Sequence, residues 1–461
     1  MPAHIMDSEF YRDSWSTPEL RAVFGMERRF ERWLQIEAAL ARAQAAAGFI
    51  PGESAKAISK AAELSNIDLD KLAVDLKDTG HTLMPLLRQL QKACEGKHGE
   101  YVHYGVATQD IEDTGLSLEM KEAYAIILRD VLATEKLLLG LARKYRTLTI
   151  MGRAHNQHGL PTTLGLKFAG MAAEMRRNIE RMKEAKKRLF PCMICGGVGT
   201  QAGLGKQADE IAALFAAAIG LDLPATGWTG IRDTVAEFQV LLAYVCGTVS
   251  RIANEIYQLS RTEILELHEP LGEHYIGSST MPHKRNAEVS EFIVALCRIV
   301  TTNSLLGFQG MMSEHERDAR SWRLDWHGVP ESSMLTGKAL KAVNFILDGI
   351  QVYEANIARN LDVLEGQIFA EAVLLHLGRA IGKQTAHQHV LEAANAARTQ
   401  CIPFKEAVLA SAALSPHITG EQMDAICDYG AYTGTAARQV DEVIALSDSL
   451  SKDDKDYTCS F

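Results

Sequence analysis

The sequence predicts an all-α chain in three parts, with long central helices, on three observations. Prolines are few, 12 in 461 residues, and leave Pro-free intervals at 86–160, 162–190, 225–269, 283–329 and 331–402. Proline breaks helix interiors, so such intervals are where long helices fit. Apolar residues recur in them at helical period, and no β-branched alternating run of strand type competes.

Each part follows from this pattern. Residues 1–110 read as shorter helices interrupted at Gly48 to Pro51, an N-terminal helical domain. Residues 111–360 form the central bundle domain. Its first stripe, Leu116 to Leu148, would run about 50 Å as a helix, and similar stripes occupy Thr163–Leu189, Thr234–His268, Glu288–Met312 and Ser332–Asn360. Several, such as Val235–Ile256, are apolar around most of their circumference, which calls for helices on all sides and hence a bundle of several chains. Residues 361–461 return to shorter helices, broken at Cys401–Pro403 and Ser415–Pro416, and the polar tail Ser447–Phe461 reads as frayed.

Composition narrows function. Apolar residues make up 47% and charged residues 23%, as in soluble globular proteins, which excludes disordered and fibrous classes. A net charge of −10 argues against a nucleic-acid or anionic-membrane partner but leaves room for a local cationic pocket and an anionic small substrate. No uninterrupted apolar run reaches about 18 residues, and the start has no basic-then-apolar signal layout, so a cytoplasmic location with no membrane partner is expected. The 8 cysteines are sparse. Cys192 and Cys195 form one CxxC followed by Gly196, Gly197 and Gly199, without a second pair at zinc-ligand spacing, and read as packing residues at a crowded turn.

Three segments concentrate polar and ionisable residues between helices. In His103–Thr114, Thr108, Gln109 and Asp110 either cap a helix or bind a substrate carboxylate. In Gly152–Thr163, His155 and His158 read as a metal pair, a proton donor or core residues, with Thr162 and Thr163 capping the next helix. No third ligand stands beside the two histidines, so no metal is expected. In Gly272–Glu291, glycines and serines make a loop whose amides can converge on an anion, with Lys284 and Asn286 at the start of the next helix. A plain glycine-rich surface loop fits the same residues.

Gly277-Ser278-Ser279-Thr280-Met281-Pro282-His283-Lys284-Arg285-Asn286 resembles the GSSxMPxKxN signature of the fumarase/aspartase superfamily. The second segment resembles that family's G-R-T-H-x-Q-H stretch, with Ala154 for Thr. The first resembles its G-x-T-S-x-D stretch, with Ala107 and Thr108 for Thr-Ser. The resemblance covers essentially the whole chain. It implies a three-domain helical fold assembled as a homotetramer, a small dicarboxylate substrate, no cofactor, and β-elimination that releases fumarate. By motif position Ser278 is the base, His155 the proton donor, Lys284 and Asn286 the anion clamp, and Glu291 the supporting carboxylate. His81, in Gly80-His81-Thr82, matches a second histidine of the adenylosuccinate lyase branch. Thr108, Gln109, His103, Ser279, Met281 and Arg317 are the expected substrate contacts. A serine is a weak base unless loop amides and Lys284 stabilise its alkoxide.

The branch is mixed. Adenylosuccinate lyases carry an HSSxER-like segment that grips phosphate. Here the stretch Glu314–Trp326 has a W-x-x-x-W spacing that looks like the 3-carboxy-cis,cis-muconate cycloisomerase branch, as does Trp228 ahead of Arg232. Ile231 and Ala287 replace a glutamine and a proline usual in both. The expected activity is therefore C–N cleavage of a succinyl-type substrate. A cycloisomerase, favoured by His315 and the tryptophans, is the first rival, and an inactive structural relative the second.

Overall fold

The computed structural model describes residues 4–272 and 275–454. Glu273 and His274 of the third segment, and the tail beyond Asp454, lie outside the described residues. The chain is all-α, with eighteen α-helices and two short two-stranded sheets among the described residues.

Helix α1 spans Met26–Ala46, and α2 spans Thr108–Lys144, 37 residues. α2 begins where Asp110 Oδ2 accepts the Ala107 amide at 2.8 Å and ends on Arg143 and Lys144, cations suited to a helix C-terminus. A hairpin follows, β1 (Thr149–Ala154) against β2 (Gln157–Thr163), antiparallel with Thr149 opposite Thr163. His155 and Asn156 form its two-residue turn, both at positive φ (52° and 62°), as a type I′ turn requires. Thr163 then caps α3 (Leu164–Leu189) by accepting the Leu166 amide at 3.1 Å. The bundle is completed by α4 (Asp233–Leu259), α5 (Glu288–Met311) and α6 (Ala319–Asp348), each packed on the others. Strands β3 (Leu267–His268) and β4 (Gln351–Val352) pair antiparallel at one end of it.

Three expectations change. The stretch 149–163, where no strand was expected between the helices, is a hairpin in which Ile150, Met151 and Pro161 are buried. The helix expected to reach His268 stops at Leu259, where Leu265 turns to positive φ and the chain enters β3. Pro330 lies inside α6, so the helix starts at Ala319, and the predicted 332–360 helix breaks at Gly349. One missing backbone bond is outweighed there by the burial of Val329, Leu335, Leu340 and Val343 against neighbouring helices.

Residues from Met6 to Ile357 share one apolar core, so the N-terminal helices and the long bundle pack as one body. A second core, from Val373 to Met423, lies in the C-terminal region. The expected fraying fails at Ser447–Asp454. Helix α7 (Ala436–Leu450) docks on α3, and Ser447 donates to Glu135 at 2.6 Å. Lys183 pairs with Asp453 (2.7 Å) and Arg176 with Asp454 (3.0 Å), because cations this buried need counter-ions.

Helices α4 and α5 are each long and apolar enough to cross a membrane by length and composition. They differ in burial. The most apolar window of α4 is 61% buried within the chain, that of α5 only 33%. Leu305, Phe308 and Met311 project from α5 into the open.

Candidate active site

The candidate residues fall at two ends of the bundle. At 1.5 Å per residue, the 37 residues of α2 run about 55 Å. The first segment stands at its N-terminus and the hairpin just past its C-terminus. Helix α4 likewise separates Thr229 and Arg232, at the first end, from β3 and the serine loop at the other. Among the described residues the two groups share no hydrogen bond or ion pair. Within one chain the candidate residues thus fall into two separate groups.

The first end gathers His81, His103, Thr108, Gln109 and Arg317. Asp110 ties it together: its carboxylate accepts the Ala107 amide and also the amides of Cys195 (2.8 Å) and Gly196 (3.0 Å). Asp110 is therefore a capping and stapling residue, and burial still pushes its pKa up against those three amides. The same staple explains the CxxC. Cys192 and Cys195 are buried, and burial pushes the Cys192 thiol up to about 12 and raises that of Cys195.

Gln109 is 2% exposed, and its amide nitrogen already donates to Asp113 (2.8 Å) and the Thr229 carbonyl (3.1 Å). It has no donor left for a substrate carboxylate in this arrangement, contrary to the expected contact. Thr108 stays half-buried at the helix tip. Arg317 is exposed and donates to the Gly196 carbonyl at 3.1 Å. His103, at φ 58°, pairs with buried Glu37 at 2.6 Å. Burial pulls the pKa of His103 down, but the Glu37 bond and the nearby Asp110 and Glu112 outweigh it, so the net shift is upward. His81 sits on an exposed turn, and its Nδ1 accepts the amides of Leu83 (3.3 Å) and Met84 (3.1 Å), capping the helix Met84–Ala93. That assigns the ring proton to Nε2 in the neutral form.

Beneath these residues lies a charge triad that the sequence did not disclose. Arg232, fully buried, donates to Asp113 (2.7 and 3.1 Å) and Asp325 (2.9 and 2.6 Å), and its guanidinium stacks 4.8 Å from the Trp228 ring. Burial pushes Asp325 up to about 6 despite Arg232. The tryptophans of the W-x-x-x-W pattern serve packing: Trp322 and Trp326 sit 5.5 Å apart, with Trp33 behind Trp326 and Arg29 over it.

The second end holds His155, Ser278, Ser279, Met281, Lys284, Asn286 and Glu291. Here the stretch Glu266–Glu269 is the common anchor. Buried Glu266 holds the hairpin through two bonds to Arg153 (2.8 and 2.7 Å). Glu269 accepts the Val289 and Ser290 amides (2.9 and 2.8 Å), fixing the start of α5. His155 is exposed at the hairpin tip, whereas His158 is partly buried, and burial beside Arg153 lowers its pKa.

Between Glu269 and α5 runs the serine loop. Ser278 Oγ accepts the amides of Thr280 (3.3 Å) and Met281 (3.0 Å), so the loop amides converge on the serine itself. Asn286 donates to the Gly277 carbonyl at 2.6 Å and to Glu288 at 3.2 Å, closing the loop's base. Gly277 must be glycine, because a Cβ there would collide with the Lys284 carbonyl and the Tyr275 ring. Ser279, Met281 and Lys284 are exposed, and the Lys284 ammonium has no side-chain partner among the described residues. Glu291 lies one turn into α5, and its carboxylate raises the pKa of the Tyr257 hydroxyl. Among the described residues no group of three or more His, Cys, Asp or Glu is placed to hold a metal ion.

A long-helix bundle with an amide-lined serine loop at one end and a capped polar helix start at the other defines the class: an all-helical lyase. The Lyase family model matches residues 12–301, and the Adenylosuccinate lyase C-terminus model matches 366–443. The chain belongs to the fumarase/aspartase superfamily of lyases. It is 39% identical to an N-acetyl-S-(2-succino)cysteine lyase of Enterococcus italicus, covering 96% of this chain and 98% of the relative. It is 36% identical to an adenylosuccinate lyase of Methanocaldococcus jannaschii, covering 96% of each. The crystal structure of 3-carboxy-cis,cis-muconate lactonizing enzyme from Pseudomonas putida superposes with a TM-score of 0.90 at 30% identity, over 96% of this chain and all of that one.

Proposed function

We propose that this lyase cleaves a bond from a heteroatom to the carbon β to a carboxylate in a succinyl adduct, releasing fumarate. The carrying observation is the pair of amides directed at Ser278 Oγ, which favours its alkoxide by preorganised hydrogen bonding. Ser278 takes the proton from the carbon next to the carboxylate. The electron pair passes into an aci-carboxylate held by Lys284, then forms the C=C bond as the heteroatom departs. His155 protonates that leaving atom, with His81 the second candidate, and Glu291 supports the site. Asn286 acts by holding the loop closed.

The leaving group is small, and sulfur is favoured over the C–N bond expected from the motifs. Arg320, a cation of the segment that grips phosphate in adenylosuccinate lyases, is committed to Glu314 and Asp318 (both 2.8 Å). The segment has four acids (Glu314, Glu316, Asp318 and Asp325) against three arginines (Arg317, Arg320 and Arg323), so it offers a nucleotide phosphate no net positive charge. The S-succino relative supports the same choice. The packing role of the tryptophans weakens the cycloisomerase rival.

The assembly belongs to this reading. Two groups of candidate residues about 55 Å apart and the bare apolar face of α5 support a homotetramer in which copies complete each other's sites. Incubation with N-acetyl-S-(2-succino)cysteine and adenylosuccinate, followed by fumarate absorbance, and with carboxymuconate, followed by loss of muconate absorbance, tests it. Fumarate from the thioether alone supports the proposal, and turnover of carboxymuconate alone would overturn it.

A further inference from the structure

The loop between α5 and α6, residues 313–318, carries Arg317 and is held in a costly shape. His315 stands at φ 56°, in the left-handed region that a side chain of this kind occupies only where surrounding bonds compensate. One end of the loop is fixed by Asp318, which accepts the amides of Glu314 (3.2 Å) and Arg320 (3.0 Å). The other hold comes from the turn ahead of α4. There Thr229 is buried, and its hydroxyl donates to the Glu316 carbonyl. Thr229 is itself tied to α2, because Gln109 donates to its carbonyl at 3.1 Å. Beyond Glu316, Arg317 donates to the Gly196 carbonyl at 3.1 Å, and the Gly196 amide donates to Asp110 at 3.0 Å. These bonds close a ring that leaves α2 at Gln109 and returns to it at Asp110. Gly230 completes the fit: a Cβ there would stand 3.0 Å from the His315 carbonyl, so only glycine lets the two loops meet without a shift.

We propose that Thr229 is a positioning residue for Arg317: its hydroxyl, by holding Glu316, aims the neighbouring guanidinium at a carboxylate of the substrate. This rests on the reading of Arg317 as a substrate contact. Arg317 is exposed, and among the described residues its bond to Gly196 is the one hydrogen bond it makes, so most of its five N–H donors remain for a bidentate grip. Without the Thr229 hydroxyl, the strain at His315 is released and Arg317 leaves Gly196. The substrate then meets a cation that must be ordered on binding, which costs affinity rather than the rate of the proton transfer at Ser278.

The test uses the full-length assembled enzyme with whichever succinyl compound it turns over, N-acetyl-S-(2-succino)cysteine or adenylosuccinate, and follows fumarate release. Thr229→Val should raise KM about tenfold and keep kcat within about threefold of the parent, close to what one ordering hydrogen bond supplies. Thr229→Ser retains the hydroxyl and should restore KM. In an Arg317→Ala background Thr229→Val should add nothing, because the group it positions is gone. Additive losses in that double variant, or a Thr229→Ser enzyme as impaired as Thr229→Val, overturn the inference. A crystal structure of Thr229→Val should show the bond from Arg317 to Gly196 broken, and an unmoved loop with that bond intact overturns the inference whatever the substrate. If Thr229→Val does not assemble, Gly230→Ala decides. That variant keeps the hydroxyl but pushes the His315 carbonyl away, so its KM should rise, and an unchanged KM counts against the positioning. An Arg317→Ala enzyme with the parent's KM would end the reading of Arg317 as a substrate contact, while the bond lost in the Thr229→Val crystal would keep the positioning.

Discussion

Replacing Arg232 by methionine removes four charge-assisted bonds and leaves Asp113 and Asp325 facing each other at 1–2% side-chain exposure. Even with Arg232 present, burial raises Asp325 from 3.8 to about 6, which at 1.36 kcal/mol per unit corresponds to about 3 kcal/mol of strain at neutral pH. Stripping the partner from a buried ion pair costs about 3–5 kcal/mol. The expected loss at pH 8 is therefore about 3–5 kcal/mol, roughly 3–5 °C in a chain of this size. The sign of its pH dependence is also set. A carboxyl whose folded pKa lies above its unfolded one binds its proton more tightly when folded, so stability is lost as pH rises through the folded value. The deficit of Arg232→Met should accordingly shrink between pH 8 and 5.5. Circular-dichroism melts at matched protein concentration measure both effects. Adding Asp113→Asn and Asp325→Asn removes the orphaned charges and should recover at least half the loss. A melting point within about 2 °C of the parent at pH 8, or a deficit that grows on acidification, would refute the electrostatic reasoning.

Other consequences are as specific. Lys284→Ala should raise KM together with lowering kcat, because an ammonium without a side-chain partner among the described residues meets the carboxylate in ground and transition states alike, and steady-state kinetics will separate the two terms. Asp110→Asn should destabilise by about 1–3 kcal/mol in a thermal melt, since an amide cannot accept three backbone N–H groups as a carboxylate does. Light scattering should give four chains of 50.6 kDa, and Leu305→Asp with Phe308→Asp on the bare face of α5 should split that assembly and abolish turnover. A fully active monomer would contradict the two-ended site.

The long helices were legible because their stripes repeat over many turns between prolines. Cooperative packing then fixes ends that propensity leaves vague, as where α4 stops at Leu259 and α6 runs through Pro330. The hairpin escaped notice because Thr149–Ala154 is short and includes Gly152 and Arg153, and its decisive feature is two positive φ angles at His155 and Asn156. At the candidate site the serine loop was legible as an amide-lined turn, although the amides meet Ser278 rather than an outside anion. The pairings of Arg232 with Asp113 and Asp325, and of His103 with Glu37, were not legible. They join residues 66 to 119 positions apart, and nothing local in the sequence marks them.

The central claim is that Ser278 is the base, held ready by its own loop. Turnover of Ser278→Ala and Ser279→Ala, measured side by side with substrate affinity, tests it most directly. The account predicts that Ser278→Ala lowers kcat by about 10²–10⁴-fold, the usual contribution of a positioned proton-transfer group, with affinity nearly unchanged. Ser279→Ala should be far milder, because among the described residues no loop amide bonds its hydroxyl. Equal losses in the two variants would contradict the account, since Ser278 would then only shape the loop.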